Sequence, residues 1–195
     1  MIRNVVRALI ATLVLAALTG LAYPLAMTAI AQLSFHAKAN GSIVESGGQP
    51  VGSALIGQTW QGPNWFYGRP SATGNDASAS SGSNLGPRSE VLTDEIAKRA
   101  ARIVELESPY LPGLGASDIP VDLLTASASG LDPHISVAAA ALQAPRIAAI
   151  RGLSLAEVEA LIRDHTEGRT LGVLGEARVN VLELNLALEA AAPPA

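Results

Sequence analysis

The chain has 195 residues, of which 49% are hydrophobic and 15% charged; its formal net charge is −4 and its mean hydropathy +0.31. That composition excludes a disordered chain and suits one domain with an appendage, and a pI near 5.3 without any basic run excludes a phosphate-neutralising nucleic-acid binder. The absence of cysteine removes disulfides, thiolate-held metals and thiol nucleophiles, and 4% aromatic content leaves little for a stacking-based binder.

In chain order, the first element is apolar. From Ala8 to Phe35 there is no Asp, Glu, Lys, Arg or His, a run of 28 residues. A helix needs roughly 20 to cross a hydrocarbon core of about 30 Å. Residues 1–36 therefore read as a transmembrane anchor, and 37–195 as one folded domain beyond it. Arg3 and Arg7 are the only charges before the run, so the positive-inside rule puts the N-terminus in the cytoplasm and the domain outside it, periplasmic or extracytoplasmic. Pro24 predicts a kink, and Gly20 with Pro24 marks where partner helices can approach closely. The alternative is a signal peptide cut after Ala29-Ile30-Ala31, which would release an exported hydrolase or binding protein. An apolar run longer than the usual h-region of about 7–15 residues favours the retained anchor. Setting Arg3 and Arg7 aside leaves 11 basic and 17 acidic residues, a net charge of −6 beyond the membrane.

From Gly41 to Tyr67, short apolar runs predict two or three strands: Ser42-Ile43-Val44, Val51, Ala54-Leu55-Ile56 and Trp65-Phe66-Tyr67. Gly47-Gly48 reads as a hairpin turn. Ser71 to Ser89 is a long Ser/Gly/Ala/Asn loop, whose length suggests an interaction role. With the Gly68-Arg69-Pro70 step it is the expected docking surface. Leu92, Ile96, Ile103 and Leu106 predict a helix over 89–108, with Asp94–Lys98 and Glu95–Arg99 as pairs on its wet side. Pro120 to Ser127 reads as a buried strand centred on Val121-Asp122-Leu123-Leu124. Ser136 caps an Ala-rich helix that ends at Gly152, and Ser154-Leu155-Ala156-Glu157 is a capping box for another, expected to run to Gly168. Arg178 to Leu188 starts as a strand at Val179 and Val181 and then turns helical. Interleaved helices and strands make the domain α/β or α+β.

Chemistry is scarce. No phosphate loop, S-x-x-K or G-x-S-x-G motif occurs. His36, His134 and His165 lie far apart, outside any metal motif, so no metal ligand and no catalytic residue is assigned. In the polar run from Thr125 to Pro133, a nucleophilic serine would have only His134 as a base. The stronger reading is structural, with the hydroxyls and Asp132 closing a tight turn. Arg69 reads as a solvated or carboxylate-paired loop residue. Gln143, in an Ala-rich helix, reads as a surface residue, with a packed contact as the alternative.

Several stretches together carry a resemblance: Leu18-Thr19-Gly20 and Tyr23-Pro24-Leu25; Gly52-Ser53-Ala54-Leu55-Ile56-Gly57-Gln58; Phe66-Tyr67-Gly68-Arg69-Pro70-Ser71-Ala72; Ser81-Gly82-Ser83-Asn84-Leu85; Thr125 to Ser136; and Arg178 to Leu188. In this order, over nearly the whole chain, they resemble the C-subunit family of the bacterial Kdp potassium-transporting ATPases. One departure is Ser81-Gly82-Ser83 where the family often has Ser-Gly-Gly-Ser. The resemblance implies a single-pass inner-membrane subunit with no catalysis of its own. Its implied partners are a potassium-selective channel-like subunit, a P-type ATPase subunit and a small membrane peptide. It also implies a catalytic chaperone that raises the ATP affinity of the ATPase subunit. Gln143 stands at the position linked to nucleotide contact, and Ser129-Gly130 at one compared to a nucleotide-binding signature. No tightly bound cofactor is implied; ATP enters through the ATPase subunit. An outer domain and an inner nucleotide conflict, and the topology takes precedence: linkage raises affinity without a shared site.

Overall fold

The computed structural model describes residues 1–193; the last two residues of the expected 37–195 domain lie outside the described residues. The chain divides into two compact units, one ending at Ile43 and one beginning at Val44.

The first unit contains a continuous helical stretch from Ile2 to Ser34, 33 residues whose most apolar 18-residue window has mean hydropathy 2.2. At 1.5 Å per residue it is about 50 Å long, more than a hydrocarbon core requires. It is built as α1 (Ile2–Ala17), a π turn (Leu18–Ala22) and α2 (Tyr23–Ser34). The π turn explains how Pro24 is carried inside the helix. Pro24 has no N–H for the ladder, and Tyr23 just before it bonds back five residues, to the Leu18 carbonyl. The hydroxyls of Thr12, Thr19 and Thr28 donate to the carbonyls four residues earlier, so this polar content is satisfied within the helix. Phe35 leaves helical geometry and α3 (His36–Ala39) adds one more turn. The Asn40 and Gln32 carboxamides bond reciprocally at 3.0 and 3.2 Å, tying that turn to the end of α2.

Next come β1 (Ile43–Ser46) and β2 (Gln49–Ser53), joined by Gly47 and Gly48 at φ +59° and +75°. Two consecutive residues at positive φ are what a tight hairpin turn demands, and glycine supplies them without strain. The other expected strands of this region do not form. Residues 54–89 carry neither helix nor strand.

The second unit is a mixed helix and small antiparallel sheet domain, as its alternation of periods implied. Its sheet has three strands in the order β3 (His134–Ser136), β5 (Arg178–Asn180), β4 (Thr166–Glu167). Ile135 faces Val179 in the register, and Thr166 faces Val179 from the other side. Both Ile135 and Val179 are buried. Five helices surround the sheet: α4 (Glu90–Glu107), α5 (Val121–Leu124), α6 (Val137–Arg151), α7 (Leu155–Asp164) and α8 (Val181–Ala191).

The helix ends follow their signals. Ser89, Ser136 and Ser154 each accept a backbone N–H with the hydroxyl, Glu157 completes the capping box, and Gly152 closes α6 in left-handed geometry. α6 is the centre of the core, with nine of its fifteen residues buried. Its alanines admit neighbouring elements closely, and Ile147, Val158 and Leu184 pack there at zero exposure.

Four local expectations need correction. Val121–Leu124 is a helical turn, because a four-residue apolar run carries no period to separate strand from helix. Only Leu123 in it is buried, and the Asp122 carboxylate turns back to accept the Ser136 backbone N–H at 2.7 Å. α7 ends at Asp164 rather than Gly168, since the chain enters β4 at Thr166. Val181 begins α8 rather than extending β5, because Asn180 caps the helix by accepting from the Glu183 N–H. Lys98 pairs with Glu95 at 3.4 Å rather than with Asp94; Glu95 also holds Arg99 at 3.3 Å.

Candidate functional site

The segment from Pro63 to Tyr67 runs from an exposed Pro63 through half-buried neighbours to Phe66, which has no exposed surface, yet it joins no sheet. Its backbone is paired all the same, by side chains from α6 and α8. Asn185 accepts the Phe66 N–H at 2.9 Å and donates to the Phe66 carbonyl at 2.9 Å. Gln143 does the same for Tyr67, at 2.8 and 3.2 Å. Arg146 donates to the carbonyls of Pro63 and Trp65, and Arg151 to that of Asn64. Each carboxamide thus replaces a strand neighbour, which is how an apolar run that looks like a strand is satisfied without a ladder.

Gln143 is therefore a buried residue, 2% exposed, and not the surface residue its Ala-rich setting suggested. Besides Tyr67, its amide donates to the Ala139 carbonyl and its oxygen accepts from Arg146. Both donors and both lone pairs are engaged, which leaves no hydrogen-bonding capacity free for a ligand.

Arg146 is the residue on which this clamp turns. It is fully buried and pairs with Glu107 at 2.9 Å, itself 2% exposed. Its guanidinium also lies 5.3 Å from the centre of the Tyr67 ring. Burial pushes the Glu107 carboxyl above its usual range, against the lowering pull of Arg146. One oxygen, Oε2, has no partner.

Beside the clamp is a cleft of about 340 Å³. Its wall combines Trp60, Tyr67, Arg69, Gln143 and Glu107 with Arg99 and Arg102 from the α4 face. The domain as a whole is acidic, but here three arginines face one carboxylate. Arg69 and Gln143, both singled out in the sequence, meet at this cleft. Ser129 and Gly130 are not among its lining residues. Ser129 accepts the Leu131 N–H with its hydroxyl. Gly130 takes φ +70° where a Cβ would come within 2.5 Å of the Ser81 carbonyl oxygen, so only glycine fits that turn. Its carbonyl accepts from Ser71, and the Ser80 hydroxyl donates to the Ser129 carbonyl. Part of the long loop is thus pinned onto the Thr125–Pro133 turn. Gly20 and Pro24 belong to the first unit.

The same turn carries no nucleophile–base pair. The Ser127 hydroxyl is buried and accepts the Gly130 N–H at 2.9 Å. Asp132 accepts the His134 N–H at 3.0 Å and pairs with Arg69 at 3.1 Å. Burial pushes the Asp132 carboxyl up, but the bonds from His134 and Arg69 outweigh it and hold the group below its ordinary range. Its contribution to stability is therefore present above the ordinary value and is lost as pH falls through the depressed one. Asp132→Ala is expected to cost about 1–3 kcal/mol, read as a lower Tm at neutral pH, and the deficit should shrink below about pH 4.

Trp60, Arg102, Glu107, Arg146 and Asn185 are not singled out by the sequence, and Arg99 only as the wet-side partner of Glu95. Glu107 left a trace there, since it continues the inward stripe of half-buried Ile96, buried Ala100 and half-buried Ile103 on α4. Arg146 left one as the only charge between Ser136 and Ile150.

Comparison with known proteins agrees with the motif resemblance. The pattern of the family described as "KdpC: K+-transporting ATPase, c chain" matches residues 5–190. A potassium-transporting ATPase KdpC subunit of Polaromonas naphthalenivorans is 54% identical over 195 residues, covering 98% of this chain and 97% of that protein. The proteins of the same name from Burkholderia mallei and Burkholderia pseudomallei are 53% identical over 182 residues, 91% of each chain. A match of this extent, from the apolar helix to α8, shows that the chain belongs to the KdpC family of potassium-transporting ATPase C chains.

Proposed function

We propose that the chain is the accessory C subunit of an ATP-driven potassium uptake complex in the inner membrane. One helix anchors it, the N-terminus is cytoplasmic, and the folded domain is extracytoplasmic. The observation that carries this reading is the near full-length similarity to potassium-transporting ATPase C subunits, together with an apolar helix long enough to span. Arg3 and Arg7 before that helix support the orientation. The partners in this reading are the potassium-selective channel-like subunit, the P-type ATPase subunit and the small membrane peptide.

The subunit performs no catalysis. Its sequence has no Asp-Lys-Thr-Gly segment to accept a phosphoryl group, and its polar turn is spent on backbone bonds. It acts as a catalytic chaperone by favouring a conformation of the ATPase subunit with higher ATP affinity. Linkage needs no shared site. An indirect effect suits a Gln143 whose bonds are all taken and a Ser129-Gly130 pair that serves a turn. ATP then binds through the ATPase subunit.

Purification of the tagged full chain in mild detergent tests the assembly role, with the polytopic partners expected to co-purify. Recovery of the chain alone would contradict it. Gly20→Leu adds bulk where nothing lies within 4 Å in the isolated chain, so any effect reports on a partner helix. It should reduce recovery of the complex several-fold and leave the Tm of the domain unchanged.

A further inference from the structure

The chain between β4 and β5 forms a hairpin arm. The two strands pair antiparallel, with Glu167 opposite Arg178, and every residue from Glu167 to Ala177 is exposed. At the tip, Thr170 and Leu174 exchange two backbone bonds of 2.9 Å. The N–H groups of Gly172 and Val173 donate to the carbonyls of Arg169 and Thr170. Leu171 stands in left-handed geometry at φ +54°, a conformation uncommon for a residue of its size.

This turn carries three large apolar side chains, Leu171, Val173 and Leu174, which are 87%, 73% and 58% exposed. A single exposed leucine is ordinary, but three such side chains on one turn make a patch, and patches mark contact sites. The tip is uncharged from Thr170 to Gly175. The charges at its base neutralise one another, Arg169 with Glu176 and Arg178 with Glu167, each pair at 2.6 Å.

The features of the arm select a lipid surface as its occupant. Backbone bonds closed inside the turn are what a chain entering hydrocarbon requires, because lipid offers no partner. Three side chains fall far short of the roughly 20–30 residues a side of a stable protein interface, whereas a fluid apolar phase needs no matching shape. The bilayer is also within reach. The apolar helix ends at Ser34 and the second unit begins at Val44, so nine residues, 35–43, separate them. Such a connection spans at most about 30 Å.

We propose that the arm is a membrane-contact element: Leu171, Val173 and Leu174 enter the interfacial layer of the bilayer that holds the anchor, and the two ion pairs stay at its edge. The proposal rests on the reading of Ile2–Ser34 as a membrane anchor. It gives the domain a second attachment besides that helix.

The test uses the full-length chain in lipid discs holding one copy each. The sequence has no cysteine, so one introduced thiol carries an environment-sensitive fluorophore at a known place. Val173→Cys reports on the tip, Ile10→Cys on the anchor helix and Glu159→Cys on an exposed position of α7. Lipids spin-labelled along the acyl chain quench a fluorophore that lies in the bilayer. The tip label should be blue-shifted and quenched, and the α7 label neither. Discs of phosphatidylcholine alone and discs with added phosphatidylglycerol should quench it equally, since the base of the arm is neutral. Adding Leu171→Asp should abolish quenching at position 173 without lowering the Tm, because Asp tolerates left-handed geometry. A tip label unquenched by lipid overturns the proposal. Shielding that appears only with partner subunits would then assign the arm to a protein interface, and shielding only in discs of two copies would assign it to a second copy of this chain. Equal quenching at Glu159→Cys would mean adsorption of the whole domain and would also overturn it. The Ile10→Cys label separates the two failures: quenching there but not at the tip defeats the arm alone, and quenching at neither defeats the anchor reading as well.

Discussion

Arg146→Met is expected to destabilise the folded domain by about 3–5 kcal/mol, the usual result of removing one partner of a buried pair. Glu107 would remain 2% exposed with no compensating charge, and the Pro63 and Trp65 carbonyls would lose their donor. The measurement is thermal or denaturant unfolding of the full chain in detergent, beside the wild type. For a domain of this size, about 2–4 °C of Tm corresponds to each kcal/mol, so a fall of roughly 10 °C is anticipated. Adding Glu107→Leu should recover part of the loss, since an apolar replacement of both partners is often close to neutral. A single variant as stable as the wild type would mean that the pair does not hold the loop. The raised Glu107 carboxyl has the opposite pH sign from Asp132. Its stabilising contribution is present below the ordinary value and is lost as pH rises through the raised one. Glu107→Gln should remove that component of the pH dependence.

The second large effect is expected at the carboxamide clamps. Asn185→Leu fits the side-chain volume but leaves the Phe66 N–H and carbonyl buried without partners. Each unsatisfied group costs about 1–3 kcal/mol, so a loss of roughly 2–6 kcal/mol is anticipated. Gln143→Leu should behave alike at Tyr67 and also release Arg146. Amide hydrogen exchange separates this local role from a nucleotide role: protection at Phe66 and Tyr67 should fall in the two variants with no nucleotide present. Unchanged protection in Gln143→Leu would contradict the clamp.

These variants also mark where sequence reasoning stopped. Elements governed by neighbours in sequence were legible. The hydroxyl caps at Ser136 and Ser154, the Gly47-Gly48 turn and the stop at Gly152 all follow from residues within a few positions. The uncharged run from Ala8 to Phe35 made a long apolar helix legible, and Ile2–Ser34 is one. The turn at Thr125–Pro133 was readable as structural because Ser and Asp satisfy nearby backbone groups. Trp65-Phe66-Tyr67 was misread as a strand, because burial of an apolar run implies paired backbone but does not say by what. Its partners lie 76 and 119 positions away, on helix side chains. Gln143 was misread as a surface residue for the same reason, since a lone polar residue in a small-residue helix carries no local clue to a distant carbonyl. The cleft could not be assembled from sequence at all. Arg69 and Gln143 were noticed separately, while Glu107 and Arg146 read as ordinary charges until packing brought them together.

The most direct test of the account compares the purified potassium-transporting complex made with and without this chain. The measured quantities are potassium-stimulated ATP hydrolysis and the apparent KM for ATP. The account predicts that the complex without the chain assembles poorly, and that any remaining activity has a higher KM for ATP. It also predicts that adding back the chain with Gln143→Ala restores the KM whenever the domain is folded, because the effect passes through conformation. An assembled complex of full activity and unchanged KM in the absence of the chain would contradict the accessory role.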